Sequence, residues 1–202
     1  MTIKRKYIKH GDIVEVTLPN VKRFSYGKII DPKLIADPIY YPHFIRVYSD
    51  ISEQPISSAD SLNRELLLAP FPIVGGSAAI TKFGWKIVAN EPVLNDEEWI
   101  PDTKVGWPLF SNPPERWAYK KRYSTHFTFS TWENVQHLND ATGKNIEVIP
   151  FLIELELLKK EGKDIKTEYG VKDWLEQIIY DCYSQLPSYS DLPEEIKGKA
   201  IQ

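Results

Sequence analysis

The stretch His10-Gly-Asp-Ile-Val-Glu-Val-Thr-Leu-Pro19, followed four residues later by Phe24-Ser-Tyr-Gly-Lys-Ile-Ile30, decides how this chain is read. Val14, Val16 and Leu18 alternate with Glu15 and Thr17, the period of a half-buried strand that Pro19-Asn20 then ends. In the second run Phe24 and Tyr26 share a face, and Gly27 marks a bulge or a close backbone approach. Together the two runs predict an antiparallel hairpin opening a curled sheet or small barrel.

Working outward, Phe44-Ile-Arg-Val-Tyr48 reads as a third strand, Phe71–Val74 as a brief one and Trp85–Ala89 as a better one. Ser58 or Asp60 would cap a short helix with Leu62, Leu66 and Ala69 as its buried stripe, stopped by Pro70. Residues 95–117 form a long connection that holds Trp99, Trp107 and Trp117 among four prolines. Tyr123–Thr131 alternates as a strand, and Thr131 caps a short helix from Trp132 to Leu138. Ile149, Phe151, Ile153, Leu155 and Leu157 occupy every second position, which predicts a long strand with Glu154 and Glu156 on its wetter face. Val171, Trp174, Leu175, Ile178, Ile179 and Cys182 recur at helical spacing over 171–183, and the tail after Pro187 is polar. The expectation is an α+β, β-rich fold: a curled antiparallel sheet or SH3-like partial barrel with a few short helices and a C-terminal amphipathic helix. Residues 1–158 would form the β-rich domain, with the helix and tail of 159–202 packed on it.

Composition narrows the class. At 202 residues, 42% hydrophobic and 26% charged, the chain can build a core without disulfides or metal, and it is not disordered. The lone Cys182 cannot form an internal disulfide and sits on the apolar stripe of the last helix, so it reads as a buried core residue. The basic start Met-Thr-Ile-Lys-Arg-Lys is not followed by an apolar stretch of signal-peptide length. The longest uncharged run, Leu66–Thr81, is broken by prolines and glycines and is too short to span a membrane. A cytoplasmic chain without a membrane segment is expected. The net charge of −3 is uneven: residues 1–50 carry 9 basic against 5 acidic side chains, and residues 51–100 carry 3 against 7. That balance argues against a nucleic-acid tract and suits a basic partner.

Catalytic templates fail in turn. Gly75-Gly-Ser-Ala-Ala79 lacks the final glycine of a nucleophile elbow and reads as a small-residue turn packed under the sheet. Gly143-Lys144 lacks the upstream glycine of a phosphate-binding loop. One Cys and four scattered histidines cannot supply a structural zinc site. His126 falls on the polar face of a strand, His137 lies four residues after Glu133, and His10 and His43 lie in turns, so no convergent acid–base set is visible. No catalytic residue, metal or cofactor is expected. Tyr119-Lys-Lys-Arg-Tyr123 is one local interleaving of base and aromatic.

Gly11-Asp12 at the mouth of the first strand, the Tyr26-Gly27 step, and Gly84-Trp85-Lys-Ile-Val88 before Pro92-Val93 together resemble the immunity protein 26 family over roughly residues 8–100. The resemblance implies a bacterial antitoxin of a polymorphic toxin system. It would be a largely β protein that binds and neutralises a cognate toxin, often a nuclease, without catalysis. The matching residues look architectural, so they imply a fold and no site. For the interface itself, the acidic run Asp96-Glu97-Glu98-Trp99 is the candidate: carboxylates could stand in for phosphate against a basic groove, with Trp99 as an anchor. The alternative is an SH3-like-barrel module that binds nucleic acid or peptide, resting on the basic first fifty residues and on Tyr119–Tyr123.

Overall fold

The computed structural model describes residues 3–32, 43–107, 114–122, 124 and 126–201. Tyr123 and part of the 95–117 connection lie outside them. The hairpin forms as its alternation requires. Strand β1 (Asp12–Leu18) pairs antiparallel with β2 (Arg23–Ile30), and β2 pairs with β3 (His43–Ser52). The register slips between Ser25 and Gly27, and a Cβ at Gly27 would meet the Arg46 carbonyl oxygen at 2.9 Å. Gly27 is therefore both the bulge and the close approach. With β4 (Phe71–Val74) and β5 (Lys86–Asn90) these strands build a six-stranded sheet in the order β10-β4-β3-β2-β1-β5, where β10 is Lys144–Asn145. A second sheet has the order β8-β7-β6-β9, from β6 (Thr103–Trp107), β7 (Arg116–Lys120), β8 (Phe127–Ser130) and β9 (Asn139–Asp140). β10 and β9 join their sheets in parallel, so both sheets are mixed, and among the described residues no closed barrel forms. The fold is α+β.

The helices are α1 (Gly76–Thr81), α2 (Trp132–Val135), α3 (Ile149–Lys160), α4 (Ile165–Tyr169) and α5 (Trp174–Tyr183). The strand expected over 149–157 is helix α3. Its alternating apolar residues are joined by Leu152 and Leu158, all buried, so the segment is apolar on every side and packs as a core helix across β1. Pro150 in its first turn and Lys159 and Lys160 in its last suit a helix and not a strand. The helical period places Glu154 and Glu156 roughly 200° apart, and both are buried. Glu154 accepts hydrogen bonds from the Asn20 amide N–H and side-chain Nδ2, each at 2.7 Å, and from Val21 N at 3.2 Å, fastening α3 to the β1–β2 turn. Glu156 accepts from Ser188 Oγ at 2.7 Å and from the Tyr189 backbone, fastening the tail instead.

Three further expectations change. Residues 58–69 give only a 3-10 turn, Ala59–Ser61, capped by Ser58, because the following segment extends along β3: Ser49 N donates to Glu65 O at 2.7 Å and Leu67 N to Val47 O at 2.9 Å. Small residues Gly75–Ala79 open α1, with Ala79 buried and Ser77 exposed. Cys182 is exposed, because α5 turns Ile179 and Tyr183 inward and leaves Trp174 and Ile178 outside. The tail is docked as well. Ser188, Leu192 and Ala200 are buried, and Ile201 N donates to Asn134 O at 3.0 Å.

Candidate partner-binding site

The six-stranded sheet has two unlike faces. Val14, Val16, Leu18, Ile29, Ile45 and Val47 join the main apolar core with α3. The opposite face carries Glu15, Tyr26, Lys28, Arg46 and Tyr48, all buried. Charged side chains on a covered face need partners, because a buried ion without one costs several kcal/mol. Glu15 accepts from Lys86 Nζ at 2.9 Å and from the Tyr26 hydroxyl at 3.3 Å. Tyr26 in turn accepts from Ile56 N at 3.0 Å, pinning the loop that follows β3.

Lys28 and Arg46 are cross-strand neighbours in the β2–β3 register, an unfavourable pairing of like charges unless an anion neutralises it. Glu97 supplies the anion. Its Oε2 lies 2.6 Å from Lys28 Nζ and accepts from Leu94 N at 2.9 Å, while Arg46 donates to the Glu97 carbonyl at 3.1 Å. Lys28 also donates to Pro92 O at 2.8 Å, and Arg64 braces the loop through Glu91 at 2.6 Å. Burial lowers the Arg46 pKa, with the Glu97 carboxylate opposing the shift. Burial, and then Glu97, raise that of the Tyr48 hydroxyl.

The acidic run is thus split by its own turn. Glu97 faces the sheet at 6% exposure, Asp96 is exposed at the crest, and Glu98 and Trp99 are half-buried. Trp99 packs on Gly198 of the tail so tightly that a Cβ there would come within 2.4 Å of its ring. Beside it opens a cleft of about 420 Å³, lined by Trp99, Asp102, Lys121, Arg122, Glu195 and Lys199 among others. Asp102 sets its walls, accepting from Arg122 N at 3.1 Å and from Ala200 N at 3.0 Å. The cleft brings the acidic loop, the basic end of β7 and the tail together, a mixture of signs suited to a protein surface.

The histidines do not converge. His10 Nδ1 accepts from Asp31 N at 2.9 Å, His137 bonds the Lys199 carbonyl at 2.7 Å, and His126 is exposed just before β8. Among the described residues no cluster could hold a metal ion, and no helix is long and apolar enough to cross a membrane. Sequence reasoning missed Glu15, Lys28 and Arg46. Their signal was a charge lodged between apolar neighbours inside each strand.

The motif residues prove to be structural supports. Gly11 adopts φ +81°, and a Cβ there would lie 2.3 Å from the Glu91 carbonyl oxygen. Asp12, fully buried, accepts from Lys9 N at 2.7 Å and Asn90 Nδ2 at 2.8 Å, and it pairs with Arg5. Together they clip the N-terminal segment to the end of β5. Trp85 is buried just before β5, and its backbone N–H donates to Ala79 O at 2.9 Å. No curated protein and no solved structure matches the chain. The family model of immunity protein 26 matches residues 9–107, from the turn before β1 to the last residue of β6, just under half of the chain.

Proposed function

We propose that this protein acts in the cytoplasm as a stoichiometric antitoxin: it binds a cognate polymorphic toxin, a nuclease, and blocks its substrate groove with the loop 94–99. The match to the immunity protein 26 family model points to toxin neutralisation. The observation that carries the finer reading is the Lys28–Glu97 ion pair, buried at 2.6 Å, which fixes the loop from below. Asp96 is thereby offered to solvent on a pre-ordered turn, with Glu98 and Trp99 beside it, and a pre-ordered loop binds without the entropic cost of ordering. In this reading Asp96 and Glu98 stand in for phosphate, Trp99 is the anchor at the cleft, and Glu97 is the positioning residue. No catalytic step is required.

The test is co-expression with nuclease domains of polymorphic toxins, beginning with any encoded next to this gene. Wild type should protect the cell and co-purify with the toxin at equal stoichiometry. Asp96→Lys with Glu98→Lys should weaken binding at least roughly tenfold at low salt, mainly by slowing association, and the gap should narrow as salt rises. A wild type that neither protects nor binds overturns the proposal. Unchanged binding by the double variant at low salt removes the acidic loop from it.

A further inference from the structure

The edges of the two sheets are unequally guarded. β9 and β10 are two residues each, and β5 is bridged on its outer side, where Ile3 N donates to Ile87 O at 2.9 Å. β8 pairs with β7 alone, and among the described residues nothing pairs with its other side. Phe127, Thr128 and Phe129 are all exposed, Phe129 at 53%. From Tyr123 to Trp132 the chain carries no Lys, Arg, Asp, Glu or Pro, the residues that ordinarily keep an open edge from pairing.

We propose that this edge pairs antiparallel with the same edge of a second copy of the chain, joining the two four-stranded sheets across a twofold axis at Thr128. Such a contact is self-complementary, as a closed dimer requires. Phe127 of each copy lies opposite Phe129 of the other, an aromatic cross-strand pair made twice, and Thr128 meets Thr128 on the opposite face. β8 itself carries no charged side chain. Arg116 and Lys120 lie one strand back on β7, with the Arg116 guanidinium over the Phe129 ring of its own copy. Stacking of a nucleic-acid base on this face is the weaker alternative. The Arg116 guanidinium already lies 3.9 Å from the Phe129 ring centre, and Trp107 meets the ring edge-on.

Sedimentation velocity on the full chain, across roughly three decades of concentration up to about 0.5 mM, tests the pairing. Wild type should pass from one 23.4 kDa chain to twice that mass. Phe127→Lys with Phe129→Lys should weaken dimerisation by more than roughly tenfold, since the seam loses both aromatic pairs and gains opposed like charges. Should that variant fold poorly, Thr128→Cys in a Cys182→Ser background is the second measurement. Copies paired about Thr128 bring the two sulfurs within disulfide reach, so mild oxidation should give a covalent dimer. A wild type that stays monomeric throughout overturns the proposal. So does a well-folded double-lysine variant that dimerises unchanged, or a monomer that retards a single-stranded oligonucleotide through Phe129.

Discussion

Lys28 and Arg46 stand side by side on neighbouring strands, both out of water, and one glutamate from a loop some fifty residues further on serves both. Lys28 meets the Glu97 side chain and Arg46 its backbone. The loop 94–99 and the interior of the sheet are therefore one electrostatic unit.

Removing that carboxylate strands a buried ammonium. Glu97→Gln is expected to lower the unfolding free energy by about 3–5 kcal/mol, read from urea denaturation, whereas Asp96→Gln one position earlier stays within about 0.5 kcal/mol. Combining Lys28→Met with Glu97→Leu should recover part of the loss, because an apolar pair replaces the ion pair and only Leu94 N and Pro92 O lose their partners.

Gly11 tests the clip at the mouth of β1. Its left-handed φ and the Glu91 carbonyl oxygen, 2.3 Å from where a Cβ would stand, leave no room for a side chain. Gly11→Ala should cost about 2 kcal/mol or more, measured as a lower Tm with an unchanged circular dichroism spectrum at low temperature.

Lys104 gives the stability a pH dependence. It is buried at 2% exposure and donates to Gln136 O, and burial lowers its pKa to about 8, with Asp140 opposing. The folded value lies below the 10.5 of a free lysine, so the unfolded chain holds more protons between about pH 8 and 10.5, and stability rises with pH across that window. Neighbouring Tyr183, raised by burial, and Lys144, held up against burial by Tyr183 and Asp140, keep their protons there in the folded chain but lose them near the top of the window when unfolded, an opposing contribution that wild type and a Lys104 variant share. Lys104→Met should therefore be more stable than wild type by about 2 kcal/mol at pH 7, after allowing for its lost hydrogen bond. The advantage should close as the pH approaches about 10, followed by denaturation at stepped pH.

Gly198 tests the tail. With φ +63° and the Trp99 ring 2.4 Å from where a Cβ would lie, Gly198→Ala should lift the tail locally. Hydrogen exchange should speed up at Asp102 and Ala200, whose amides bond Gly198 O and Asp102 Oδ2, while the amides of β1 and β2 keep their protection.

The elements legible in the sequence are those that bury one face. β1 and β2 alternate because only one side of each meets the apolar core, and α5 shows its helical period because part of it stays wet. α3 defeats the same reading. A helix enclosed on all sides has no polar stripe to reveal its period, and its two carboxylates look solvated until their partners arrive from Asn20 and Ser188, far away along the chain. The site was half legible for a similar reason. The acidic run 96–98 is visible as charge, but which member turns inward depends on Lys28, some seventy residues earlier. Cys182 was misjudged because spacing shows a stripe without showing where the stripe's covered part ends.

The family match stops at Trp107, the end of β6, yet both strands that flank β6 come from further along the chain. The border of the shared segment therefore runs through a hydrogen-bonded sheet and not between separable pieces. A gene exchange that cut there would hand its recipient a strand with neither neighbour, so the extension after residue 107 must be inherited together with the family segment or be replaced by something that offers β6 an edge on each side.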